Sequence, residues 1–204
     1  MNDSSTENIQ QVLNGLSIHG MKNPLNGLEK TALVSLENAV VSIRGIVEKV
    51  DQMVWIAKQN SENPSDGLTV DESASIAVLT MEWYPEENSV GYCLNTALRA
   101  ENHEQLKPWF PYLKLLFHAV SKLPKVSHLL YRGYSGNNAN EYQEGREFVL
   151  WELSTWVSNI NTLENEDDFV PLIFIFLCCV EIFALVSHST ARQRHQKAPH
   201  TSDG

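Results

Sequence analysis

The chain changes texture at Pro124, and that change limits the folds open to it. Upstream, apolar residues recur at spacings of three and four, as they do in helices that bury one stripe. Leu33, Leu36, Val40, Ile43, Val47, Val50 and Val54 make one such stripe, and Gly45 marks a point where it can divide into two helices. Three heptads without clear charge pairing beside them fall short of a coiled coil, so the stripe reads as an amphipathic helix laid on a core. Downstream, "VSHLLYRG" and "REFVLWELSTW" are short runs rich in apolar and aromatic residues, separated by the Gly- and Asn-rich "YSGNNANEYQEG". Such runs read as strands. Helices first and strands afterwards predict an α+β fold rather than an alternating α/β one.

The helical half can be divided further. In "NPSDGLTVDESA" a loop leads into a helix start, because Thr69 can cap and Glu72, three residues on, can cap reciprocally. That helix is expected to reach Trp83. A second begins near Ser89 and carries Tyr92, Leu94 and Leu98. A third has Pro108 in its first turn and buries Trp109, Leu113, Leu116, Phe117 and Val120. Trp83 and Trp109 are expected in the core rather than stacked on a ligand.

Composition excludes several function classes. A chain of 204 residues, 43% hydrophobic and 20% charged, suits one globular domain with a sizeable core. Its net charge of -10 repels a phosphate backbone, so no nucleic-acid partner is expected. Of three cysteines, Cys93, Cys178 and Cys179, the last two are adjacent, which suits neither a disulfide framework nor zinc. His188, His195 and His200 lack acidic or cysteine partners at ligand spacing, so no metal site is expected. The opening "MNDSSTENIQQ" has neither a basic nor an apolar leader region, and an intracellular location is the default expectation. Residues 1–28 read as a loose tail, with a short helix near Ile9 to Leu16.

Four segments carry a more specific signal. "DGLTVDESASIAVLTMEWYP", "LRAENHEQLKPWFPYLKLL", "YRG" and "FVLWELST" resemble, in order and spacing, the arginine-specific mono-ADP-ribosyltransferases, the NAD(P)+ arginine ADP-ribosyltransferases. The resemblance runs from about Val34 to Asn165 and defines a partial ADP-ribosyltransferase domain over 29–166. It implies a transferase that moves ADP-ribose from NAD+ or NADP+ to an arginine of a target protein, releasing nicotinamide. It implies an Arg, Ser, Glu-x-Glu signature on three strands. The family arginine matches Arg132, whose planar fork fits phosphate oxygens bidentately. Gly133 leaves room for the dinucleotide. Thr155 falls at the key serine's place with Ser154 beside it, so either hydroxyl is a candidate support for the nicotinamide ribose; Trp156 stands where a small residue is expected.

The catalytic pair is where the sequence departs from the family. Breaking the nicotinamide bond builds positive charge on the ribose, which a carboxylate stabilises. The resemblance places that Glu-x-Glu a few dozen residues beyond the Ser-Thr run. Glu164 and Glu166 match it literally but fall about ten residues after Thr155, and are read as a solvated acidic loop. No catalytic residue is assigned. From 167 to 204 the tail diverges. Phe169 to Val186 is a nearly continuous apolar run, interrupted by Pro171 and Glu181, with Arg192, Arg194 and Lys197 behind it. It is as long as a minimal membrane-spanning helix with a cytoplasmic basic flank. It also fits a buried strand or helix, or translation of sequence not normally retained. Two alternatives to the enzyme therefore stand: an inactive, truncated NAD-binding pseudoenzyme, and a membrane-anchored helical interaction protein.

Overall fold

The computed structural model describes residues 24–100, 102–124 and 153, together with the strands at 129–134 and 170–175. The chain divides into two compact units, one holding described residues 24–124 and 153, the other holding the two strands.

Among its described residues the first unit has five helices: α1 (Leu36–Ala39), α2 (Val50–Asn60), α3 (Val70–Thr80), α4 (Val90–Arg99) and α5 (Phe110–Lys122). Short 3-10 turns at Leu28–Lys30, Val41–Ile43, Glu86–Asn88 and His103–Trp109 join or precede them. Helix α5 is the centre. Tyr112 to Phe117 are all buried, more than one full turn, so this part of the helix has no solvent face. Helices α1 and α3 pack on it, α2 and α4 pack on α3, and the turns at Leu28–Lys30 and His103–Trp109 close its sides. Leu25, Leu28, Leu36, Ile43, Met53, Leu94, Leu98, Leu106, Trp109 and Tyr112 are the largest fully buried side chains.

The stripe from Leu33 to Val54 buries the predicted side but does not form a continuous helix. Leu36, Val40, Ile43, Val47, Val50 and Val54 are buried, whereas Leu33 is 46% exposed. The backbone passes through α1, a 3-10 turn and the Gly45 region, then through Lys49 at φ 59 before α2 begins. A left-handed lysine cannot propagate a right-handed helix, so the chain bends there while its apolar residues keep facing inward.

Helix α3 begins as the sequence predicts. Thr69 Oγ1 accepts from the Glu72 N–H at 3.3 Å, and the Thr69 N–H donates to Glu72 Oε2 at 2.7 Å, closing a capping box. The helix stops at Thr80, three residues short of Trp83, because Met81 turns to extended backbone. Trp83 is half-buried against the core and Trp109 is fully buried. Helix α4 starts so close to the end of α3 that a Cβ on Gly91 would lie 2.7 Å from the Leu79 carbonyl oxygen. That contact is with backbone, which cannot swing aside. Gly91→Ala is expected to destabilise this unit by about 1–3 kcal/mol, measured as a lower urea midpoint.

The predicted α+β fold with its β core is corrected. The described core is helical throughout, and no β layer packs in it. Extended structure among the described residues is confined to one antiparallel pair in the second unit, β1 (Leu129–Tyr134) with β2 (Val170–Ile175). The physical reason lies in the helical half. Helix α5 is already enclosed by helical neighbours and turns, so the described core closes without a sheet. Strand β2 lies inside the apolar run of Phe169 to Val186, for which a membrane helix and a buried strand were both among the readings; its pairing with β1 was not foreseen. Pro171, which lacks an amide donor, sits opposite Gly133 in this pair. Among the described residues, no helix is long and apolar enough to cross a membrane.

Candidate functional site

Helix α4 holds Leu153, the residue that precedes the predicted hydroxyls in sequence. Ser89 caps the helix by accepting from the Tyr92 N–H at 3.1 Å. Val90, Leu94, Ala97 and Leu98 turn into the core. Asn95 stands at the border of that buried face. Its Nδ2 donates to the Leu153 carbonyl at 2.8 Å, and its Oδ1 accepts from the Leu153 N–H at 2.7 Å. This double bond pattern copies a hydrogen-bonded residue pair in an antiparallel ladder, with a side-chain amide in place of a neighbouring strand. Leu153 itself packs on the edge of the core. The residue immediately before Ser154 is therefore held through its backbone and its side chain. Sequence reasoning missed Asn95. The available signal was an amide in a helix beside the buried Leu94 and Leu98, which is costly unless the amide finds a partner.

A second polar cluster joins α3 to the last turns of α5. Glu72 is 3% exposed. Lys122 Nζ donates to both of its oxygens, at 2.6 and 2.8 Å, and His118 Nε2 lies 3.1 Å from Oε1. Burial pushes the Glu72 carboxyl up; the hydrogen bond from Lys122 and the Thr69 N–H outweigh that and hold it below its ordinary value. Next to it, Ser75 Oγ donates to the Glu72 carbonyl, and the buried Tyr112 hydroxyl donates to the Ser75 carbonyl at 2.8 Å. Desolvation raises the Tyr112 phenol well above its ordinary range, so it stays a neutral donor. The Lys122, His118 and Tyr112 contacts join α3 to α5, while the Ser75 and Thr69 bonds stay within α3, and the cluster reads as structural. On the outer face of α3, Lys58 bridges Glu37 at 2.5 Å and Asp71 at 2.8 Å. These groups are partly solvated and contribute little.

The predicted donor-binding residues fall elsewhere. Arg132 and Gly133 lie on β1, opposite Leu172 and Pro171. Ser154, Thr155, Glu164, Glu166, Cys178, Cys179 and the three tail histidines lie outside the described residues. Cys93 is free; its thiol donates to the Glu87 carbonyl at 3.1 Å and burial raises its pKa, which makes it a weak nucleophile. Among the described residues, no group of three or more His, Cys, Asp or Glu could hold a metal ion.

Compared with protein-family models, with curated proteins and with solved structures, the chain shows no match in any of the three.

Proposed function

We propose that the chain is an ADP-ribosyltransferase-type protein that binds NAD+ or NADP+ and passes ADP-ribose to an arginine of a protein acceptor, releasing nicotinamide. The observation that carries the reading is the ordered set of four segments, in which the Tyr-Arg-Gly element is followed by the hydroxyl-bearing one. Two features support it. Arg132 lies on extended backbone, as the resemblance requires. Leu153, which precedes Ser154 and Thr155 in sequence, is held by the helical unit through Asn95.

In this reading Arg132 grips the pyrophosphate, Gly133 permits its close approach, and Ser154 or Thr155 supports the nicotinamide ribose. In the transfer, the bond from ribose C1′ to the nicotinamide nitrogen breaks, a bond from C1′ to a guanidinium nitrogen forms, and that nitrogen loses a proton. Arg132→Ala is expected to weaken NAD+ binding at least about tenfold, the effect of losing one charge-assisted bidentate contact of about 1.5–3 kcal/mol, measured by calorimetric titration. An unchanged affinity removes the reading.

A second reading is favoured by one sequence fact: Glu164-Asn165-Glu166 is the literal Glu-x-Glu beyond the Ser-Thr run, and its spacing does not suit catalysis. The chain would then bind the dinucleotide without transferring ADP-ribose. Incubation with labelled NAD+ and agmatine separates the two, since label on agmatine above background requires transfer.

A further inference from the structure

We infer that Lys114 anchors a site for a small organic monocarboxylate with an apolar body. The site lies on the helical unit alone, and the inference does not depend on the ADP-ribosyltransferase reading.

Lys114 is the one charged residue in the buried run Tyr112 to Phe117 of α5, and it is only 8% exposed. Among the described residues it makes no hydrogen bond or ion pair. Three more exposed lysines are better supplied: Lys58 bridges Glu37 and Asp71, Lys107 meets Glu104 at 2.6 Å, and Lys122 meets Glu72 at 2.6 Å. The physical need runs the other way, because a cation withdrawn from water loses more hydration and depends more on a counter-charge. A lysine that only lays its stem on apolar surface keeps its head in water, and so small an exposure leaves little room for that. The ammonium is nevertheless not among the wholly enclosed unpaired atoms, so a solute can reach it.

Charge and neighbours select the ligand. One turn beyond Lys114 on the same side of α5 stands His118, and a further turn on stands Lys122; both are engaged by Glu72. Lys122 balances the Glu72 charge, so Lys114 leaves one positive charge over on this side of the helix. A monoanion neutralises it. A second negative charge on the ligand would meet repulsion from the Glu72 carboxylate. Phe110, one turn before Lys114, and Phe117, three residues after it, are its other neighbours on the helix surface, and both are buried. Beside two phenyl rings, an apolar body behind the carboxylate is favoured over a hydrated one.

The test is calorimetric titration of the full chain with sodium benzoate at fixed ionic strength. One saturable site is expected. Lys114→Met is expected to weaken benzoate binding at least about tenfold, the effect of losing a charge-assisted contact. In benzoate-free buffer the same variant should unfold at the same temperature as the wild type or higher, because an apolar chain of similar length replaces an unpaired buried charge. Neutral benzamide, which keeps the ring and lacks the charge, should also bind at least about tenfold more weakly than benzoate. If the methionine variant does not fold, the amide resonances of Lys114 and His118 in the wild type carry the test, since benzoate should shift them. No saturable benzoate binding overturns the inference, and that result covers the case in which a carboxylate of the chain itself already holds the ammonium. A folded Lys114→Met with wild-type affinity overturns it. So does benzamide or inorganic phosphate binding as tightly as benzoate, or a benzoate response that leaves the α5 amides unshifted.

Discussion

Glu72→Ala is expected to destabilise the helical unit by about 3 kcal/mol, seen as a lower urea midpoint with the slope unchanged. The carboxylate is almost fully buried and accepts from Lys122 with both oxygens, while Oε2 also accepts from the Thr69 N–H. Alanine removes the acceptor of the Thr69 N–H, one half of the capping box, and leaves Lys122 and the His118 ring without their acceptor. The side chain of Lys122 is 32% exposed, so water recovers part of its loss and the figure stays at the low end for a broken buried pair. Glu72→Gln keeps an acceptor at the helix start and should cost about half as much, the difference being charge. The same carboxylate sets an acid limit. Its folded-state pKa lies below the ordinary value of 4.5, so its contribution is fully present above pH 4.5 and is lost as the pH falls through the folded-state value. A series of urea midpoints from pH 7 down to pH 3 should show a steeper fall in the wild type than in Glu72→Gln.

Trp109→Ala should be more damaging still, at about 4 kcal/mol. Trp109 is fully buried at the junction of a 3-10 turn with α5, and it meets Tyr112 edge to face with ring centroids 6.3 Å apart. Removing the indole opens a cavity beside the central helix and takes away that ring contact. Trp109→Phe separates size from polarity. The indole Nε1 has no hydrogen-bond partner among the described residues, so replacing it forfeits no bond. The phenylalanine variant is expected to lose only about 1–2 kcal/mol, from reduced volume. Thermal unfolding followed by near-ultraviolet circular dichroism would rank the two variants.

Local signals were legible in the sequence where the chemistry is local. Thr69 and Glu72 announced their capping box because both partners lie within one turn. Ser89 announced the start of α4, and the buried identity of Leu113, Leu116, Phe117 and Trp109 followed from helical spacing. What failed was inference across distance. The spacing of Leu33 to Val54 shows which residues turn inward, yet it does not register the left-handed Lys49 that divides the path, because lysine carries no marker for that conformation. The α+β expectation rested on apolar runs after Pro124, and apolar runs do not state their partners. Pairing of β1 with residues 170–175 joins segments roughly forty positions apart, and a continuous apolar run has no alternation from which to read register. Arg132 and Gly133 were found on a motif, whereas the bonds between Asn95 and Leu153 became visible only in the structure. An amide on a helix has no motif of its own.

Helix α5 occupies the middle of its unit but comes last in chain order among the helices of the unit's described residues. During synthesis, which proceeds from the N-terminus, the four earlier helices therefore emerge before the scaffold that shields them. Their inward-facing leucines and valines remain candidates for chaperone capture until residues 110–122 leave the ribosome. A nascent chain stalled before Phe110 should accordingly be protease-sensitive, and one stalled well after Lys122 resistant.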